Sequence, residues 1–228
     1  MNYTSAALTY PVALNTLILK FSNAFVELQS FDANLGKSDV QANGRIDNFM
    51  HYIFKDESLK GTFTLNSKLM DLNELMGPPS TETAAATSSA TATPTAEATV
   101  AEVPGNIDFV LNSKLDKVLF QNMVIDNLVG NIVVRYSKAE MTNLKMNTLG
   151  GTLVINGFYE TTNPKKPTTG LNLVIDNFDI QNTFKTFNTV KKIAPAAEYS
   201  KGNFSATLQN FNVAMDSKME PDLSLIHI

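Results

Sequence analysis

Apolar and polar residues alternate with period two in short runs along most of this chain. In "GTFTLN", Phe63 and Leu65 alternate with Thr62, Thr64 and Asn66. In "NIDFVLN", Ile107, Phe109 and Leu111 alternate with Asp108, Val110 and Asn112. In "GLNLVID", Leu171, Leu173 and Ile175 share one face, as do Ile132, Val134 and Tyr136 in "NIVVRY". Successive side chains of a strand point to opposite faces, so this pattern predicts half-buried antiparallel strands. Gly, Asn and Asp bound the runs and supply turns that need φ > 0. "TLVINGFY" differs. Leu153, Ile155 and Tyr159 fall on one face and Val154 and Phe158 on the other, which predicts a central strand.

One segment leaves this rhythm. In "DIQNTFKTFNTVKKIAPAAEY", Ile180, Phe184, Phe187 and Ile193 fall near helical spacing. Asp179 can cap the start, Lys191 and Lys192 suit the C-terminal end of the dipole, and Pro195 stops it. The spacing predicts an amphipathic helix over 180–193, anchored on the sheet by Phe184 and Phe187. "DLNEL" predicts a shorter turn, with Asp71 and Glu74 at capping-box spacing.

Phrases recur. "LGKSDVQANGRI" at 35–46 is echoed by "LGGTLVINGFYE" at 149–160. "LNSKL" occurs at 65–69 and 111–115, "IDNF" at 46–49 and 175–178, and "IDNL" at 125–128. "MDLNEL" at 70–75 parallels "FDIQNTF" at 178–184. These echoes point to an internal repeat displaced by roughly 110 residues, in which copies of one supersecondary unit stack. In this reading Leu-Gly enters a strand and Asn-Gly marks its far end as a turn or bulge.

Between the copies, residues 77–104 are dominated by Ala, Thr, Ser and Pro. Such a stretch buries too little apolar surface to offset an ordering entropy of about 1–2 kcal/mol per residue, and a disordered insertion is expected. The chain thus divides into a β-rich segment over 1–76, the insertion, and a second β-rich segment with the helix over 105–222. The last residues, "LSLIHI" at 223–228, resemble the translation of a sequencing-library adapter. On that reading the chain is expected to be a fragment of a longer protein.

Composition narrows the chemistry. The 228 residues are 43% hydrophobic and 18% charged, with a net charge of −4, so no basic stripe suits a nucleic acid. Cysteine is absent, which excludes disulfides and thiolate metal sites, and His51 and His227 are the only histidines. Asp47, Asp126 and Asp176 of the IDN phrases are too dispersed for a calcium loop and read as turn formers. Glu27 with Asp32, and Glu57 with Asp56, read as solvated charges. "NPKKP" at 163–167 reads as a hairpin tip and weakly as a lipid-headgroup contact. Neither cofactor nor metal is expected, nor catalytic residues. No apolar run reaches the roughly 18 residues of a membrane-spanning helix.

"FDIQNTFKTFNTVKKIAPAAEYSKGNFSATL", with "LGGTLVINGFYETTNPKKP" before it and "MEPDL" after it, resembles the C-terminal region of AsmA-family proteins of the Bacteroidetes type. So does the Ala/Thr/Glu-rich insertion ending in "VPGNIDFVLNSKL". The resemblance covers roughly residues 17–223. It implies the periplasmic part of a membrane-anchored envelope protein of a Gram-negative bacterium. Such a protein is non-enzymatic and handles or transfers phospholipid in support of outer-membrane biogenesis. Its contacts with the inner or outer membrane would run through segments outside this chain. The fold it implies is mainly β: repeated antiparallel strands in an elongated, half-rolled sheet with an apolar concave face. Phe63, Leu65, Ile107, Phe109, Leu111, Leu171, Leu173 and Ile175 are the expected lining, with phospholipid acyl chains as ligand. The same alternation would also build a dry β-sandwich. A structural or chaperone-like periplasmic protein that acts through protein partners is the other reading.

Overall fold

A computed structural model describes residues 2–3, 10–55, 57–76, 100–187, 190–191 and 194–215. Most of them form one sheet. Its strands are β1 (Asn2–Tyr3), β2 (Val12–Phe21), β3 (Phe25–Leu35), β4 (Ser38–Asp47), β5 (Leu59–Ser67) and the short β6 (Met70–Asp71). They continue with β7 (Ile107–Phe120), β8 (Met123–Arg135), β9 (Lys138–Thr148), β10 (Gly151–Glu160), β11 (Thr168–Asp179) and β12 (Asn203–Ala214). Neighbours in sequence are neighbours in space from β1 to β12, with β6 off the path against β7. All main-path pairings are antiparallel except β5 with β7. The two β-rich segments therefore share a single sheet rather than forming separate domains.

The parallel pair explains the connection between them. β5 ends at Ser67, and β7 starts at Ile107 opposite Leu59, the first residue of β5. The chain must return the full length of β5, about 30 Å at roughly 3.3 Å per residue. A hairpin cannot do this, and a parallel pair needs a connection of a dozen or more residues. The low-complexity stretch falls within that connection. Residues 77–99 lie outside the described residues. At its far end, Val103 N–H donates to Thr161 Oγ1 at 2.8 Å.

Two copies of one unit are visible. The β3–β4 hairpin, β5 and helix α2 (Leu72–Leu75) correspond to the β9–β10 hairpin, β11 and helix α3 (Ile180–Thr186). Leu-Gly does not enter a strand. In each copy it stands at the hairpin tip, with Gly36 at φ 59°, Leu149 at 52° and Gly150 at 84°. Asn-Gly is not at a strand end either. Asn43 and Asn156 lie inside β4 and β10, opposite the places where β3 and β9 bulge.

Two of the three IDN phrases have the same logic, while the Asn48 of the first stands after β4 at the turn into α1. Asn48, Asn127 and Asn177 all have positive φ, at 67°, 53° and 60°. Asn tolerates the left-handed region better than other residues with a Cβ, so it can place the extra residue of a bulge. Asn143 and Asn210 do likewise on β9 and β12. The freed N–H groups find side chains on the next strand. Asn143 N–H donates to Asn156 Oδ1 at 2.8 Å, Asn210 N–H to Asn172 Oδ1 at 2.7 Å, and Asn177 N–H to Ser205 Oγ at 3.0 Å.

Helix α1 (Phe49–Lys55) joins β4 to β5. Asp71 caps α2 through Asn73 N–H and Glu74 N–H. The capping box is only half made, because Glu74 does not turn back to Asp71. Its Oε2 accepts from Lys37 N–H at 2.8 Å in the β3–β4 turn, while Asp71 N–H donates to Ser38 Oγ. Asp179 caps α3 through Asn182 N–H at 2.7 Å. That helix is shorter than its sequence spacing predicts. It breaks after Thr186, where Phe187 is extended at φ −105°, ψ 111°, and residues 190 and 191 are helical again, with Lys191 N–H donating to Phe187 O at 3.3 Å. Thr and Asn compete for the backbone and lower helix propensity, so "TFNT" is a poor continuation. Residues 188–189 and 192–193 lie outside the described residues.

Candidate functional site: an uncovered apolar sheet face

Residues directly opposite on neighbouring strands project to the same side of a sheet. Following the register from strand to strand therefore sorts the two faces. Phe63 pairs with Gly44 and Leu111, Leu111 with Ile132, Ile132 with Met141, Met141 with Gly157, and Gly157 with Leu171. Phe109 pairs with Val134, Leu173 with Ile155 and Ile175 with Leu153. Phe63, Leu65, Ile107, Phe109, Leu111, Leu171, Leu173 and Ile175 consequently all belong to one face, although three strands separate β7 from β11. The bulges do not break this continuity.

The face is wider than the alternating runs suggested. On β3 it carries Val26, Leu28 and Phe31, and on β2 it carries Leu17, Leu19 and Phe21. The β2 contribution was masked in the sequence because "TLILKF" is apolar on both parities. On β12 it carries Phe204, Leu208 and Phe211. Two of its glycines, Gly44 and Gly61, lie under aromatic rings. A Cβ on Gly44 would collide with the ring of Phe63, and one on Gly61 with those of Phe63 and Phe109. Phe63 and Phe109 meet edge to face with centroids 5.7 Å apart.

The opposite face is more polar, although Val110, Val133, Val154, Phe158 and Val174 stand on it. Asn43, Thr64, Asn112, Asn131 and Thr142 form one row across five strands, and Asn156 and Asn172 continue it. Arg135 pairs with Asp108 at 3.1 Å, Lys117 with Asp126 at 3.3 Å and Lys138 with Glu140 at 3.4 Å. Asn156, Asn172, Asn210 and Asn212 line a hollow of about 340 Å³ on this side. The Oδ1 atoms of Asn156 and Asn172 are already spent on the bulges.

Nothing among the described residues forms a second layer over the middle of the apolar face. Strands contact extensively only their neighbours in the sheet order. The largest buried cluster lies at one end, although Val213, Thr161 and Pro167 are buried toward the other. Met70, Leu115, Val118, Ile125 and Met146 form the buried cluster, with Leu72 and Leu75 of α2 packed against it. Along most of the rest of the face the side chains are half-buried or exposed. Phe184 of α3 is half-buried and Phe187 is exposed, so Thr183 is the buried residue of that helix.

The dispersed carboxylates have structural partners. Asp47 binds Arg45 at 2.7 Å, and Asp176 accepts from Ser205 Oγ at 3.0 Å. Asp32 accepts from Asn15 and Gln41. Asp56 lies outside the described residues. Among the described residues no cluster of His, Asp and Glu could hold a metal ion. Burial pushes the Asp39 carboxyl up, but hydrogen bonds from Leu69 N–H, Lys68 N–H and Ser67 Oγ–H outweigh it and hold the group below its ordinary value. Burial pushes the Tyr159 phenol up. No protein-family model, curated protein or solved structure matches this chain.

Proposed function

We propose that the chain handles phospholipid as part of an AsmA-type protein of the Gram-negative envelope, without enzymatic turnover. The observation that carries this reading is the apolar face: it runs from β2 to β12 and, among the described residues, has no second layer over its middle. A sheet with one apolar face normally buries it against another element. Acyl chains can do this without specific side-chain chemistry, at about 0.8 kcal/mol for each methylene removed from water. The sheet would curve around such chains. Bulges bend strands and increase their twist, and they recur on β3, β8, β9, β11 and β12. Duplication of the strand unit fits the same role, since a longer groove needs interchangeable units.

Photo-crosslinkers placed at Phe63, Phe109, Leu111 and Leu173 should capture lipid in cells, and those at Thr64, Asp108 and Asn172 should not. Equal labelling of both sets, or labelling of neither in folded protein, would overturn the groove. The second reading is a structural protein acting through strand edges. The observation that favours it is β12, an outer strand of twelve residues, "NFSATLQNFNVA", largely exposed and without a charged residue. Protein adducts at the β12 edge with no lipid adducts on the face would select it.

A further inference from the structure

The more polar face of the sheet carries a hollow that the apolar face does not explain. It lies over β9 to β12 and encloses about 340 Å³. That volume stands at the lower end of the roughly 300–1,000 Å³ usual for ligand sites. Two rows of side chains build it. Asn156 stands opposite Asn172. In the next row Glu140 faces Phe158, Phe158 faces Gly170 and Gly170 faces Asn212. Gly170 makes the gap. The Phe158 ring lies over it, so that a Cβ there would collide with the ring and with Asn212 Oδ1.

The fold alone does not require this arrangement. The first copy of the repeated unit has Asn43 and Gly44 where the second has Asn156 and Gly157. It then holds Arg45 at the place of Phe158 and, across from it on β5, Thr62 at the place of Gly170. Arg45 turns to Asp47 and to the Phe25 ring. The same hairpin therefore forms without the aromatic ring and without the gap.

The amides of the hollow are held in fixed orientations. Asn156 Oδ1 and Asn172 Oδ1 accept from the N–H groups of the bulges. Among the described residues, no hydrogen bond engages their Nδ2 groups, each of which carries two N–H donors. Asn212 is the reverse. Its Nδ2 donates to Asn210 O at 3.3 Å, which leaves Oδ1 as an acceptor. Glu140 adds carboxylate oxygens, with its charge offset by Lys138 at 3.4 Å.

We propose that this hollow binds a neutral carbohydrate. A sugar hydroxyl both donates and accepts, which suits amide donors and acceptors set side by side. The C–H groups of a sugar ring suit the negative face of the half-buried Phe158 ring. An apolar ligand would leave the amides unpaired. An anion would meet the Glu140 carboxylate at close range, and a cation would find that carboxylate already paired. The hollow lies on the face opposite the lipid candidates, so this inference stands apart from the lipid-handling reading.

The test is saturation-transfer difference NMR on the full chain, with cellotriose, maltotriose and triacetylchitotriose as probes. At least one of them should show saturable transfer, strongest at its ring C–H protons. Phe158→Leu, which keeps an apolar cover over Gly170, and Asn212→Ala should each weaken binding at least about tenfold. Asn112→Ala, exposed on the same face away from the hollow, should leave it unchanged. Trigalacturonic acid, with a carboxylate on every ring, should bind at least about tenfold more weakly than the neutral probe. Circular dichroism checks that each variant keeps its strands, and Asn212 is exposed, so its variant carries the test even where Phe158→Leu fails to fold. Absence of transfer to all three neutral probes from folded wild type would overturn the proposal. So would undiminished binding by folded Asn212→Ala, equal weakening by Asn112→Ala, or equal binding of trigalacturonic acid. Lipid labelling of the apolar face without sugar binding sinks only the hollow, and sugar binding without lipid labelling sinks only the groove.

Discussion

At the scale of the residue, asparagine does the shaping. The left-handed region costs most residues with a Cβ roughly 1–2 kcal/mol, and Asn less. Asn143 occupies it at φ 50°, with its N–H satisfied by Asn156 Oδ1. Asn143→Gly should be close to neutral in urea melts, whereas Asn143→Val should cost about 1–2 kcal/mol. Equal effects would mean that backbone strain is not what selects Asn. The phrase "IDN" was visible in the sequence, and the turn-former reading holds at Asn48 but not at the bulges of Asn127 and Asn177. A turn former and a bulge former look alike until the partner strand is known. Asp39 offers a second prediction. Its folded carboxyl titrates below the unfolded value of about 3.9, so its stabilisation is complete above that pH and is lost as pH falls through the folded value. Asp39→Asn should therefore flatten the acid limb of the stability curve and leave the alkaline limb unchanged. An unaltered acid limb would show that the Lys68 and Leu69 amides do not discriminate the charge.

At the scale of the element, strands were legible and the helix only in part. Period-two runs marked β5, β7, β8 and β11 because each has a more polar face opposite an apolar one, and β10 was marked by apolar residues on both faces. β2 was hidden by Leu17-Ile18-Leu19, which fills both faces. For α3 the cap at Asp179 was legible from its position before an apolar run. The end was not, because Phe187 continues the apolar spacing while its backbone is already extended. A pattern of side chains does not report where the backbone leaves the helix. Phe184 is half-buried and Phe187 exposed, so Phe184→Ala should cost more than Phe187→Ala in denaturant melts. Both should fall below the roughly 3–5 kcal/mol typical of a fully buried Phe. A Phe187 effect as large as that of Phe184 would show that the residue is covered in solution.

At the scale of the whole molecule, a single-layer sheet has a thermodynamic signature. The denaturant slope m grows with the surface newly exposed on unfolding. Here, among the described residues, the middle of the apolar face has no second layer over it and contributes little to that change. Lipid-free protein should accordingly give a lower m than a two-layer protein of equal length. A dry sandwich would give the ordinary value. The same geometry sets how substitutions rank along the face. Leu115 is 7% exposed beside Val118 and Ile125, and Leu19 is 43% exposed near the other end. Leu115→Ala should cost about 2–5 kcal/mol and Leu19→Ala well under that range. Adding a monomeric lysophospholipid should then change the picture selectively. A ligand that binds only the folded chain stabilises it by RT ln(1 + [L]/Kd), so the midpoint should rise with ligand concentration. Leu19→Ala and Phe109→Asp should reduce that rise, because their side chains belong to the uncovered face. Leu115→Ala should lower the starting midpoint without reducing the increment. An increment unaffected by Phe109→Asp in folded protein would place the ligand elsewhere and leave the apolar face without its proposed occupant.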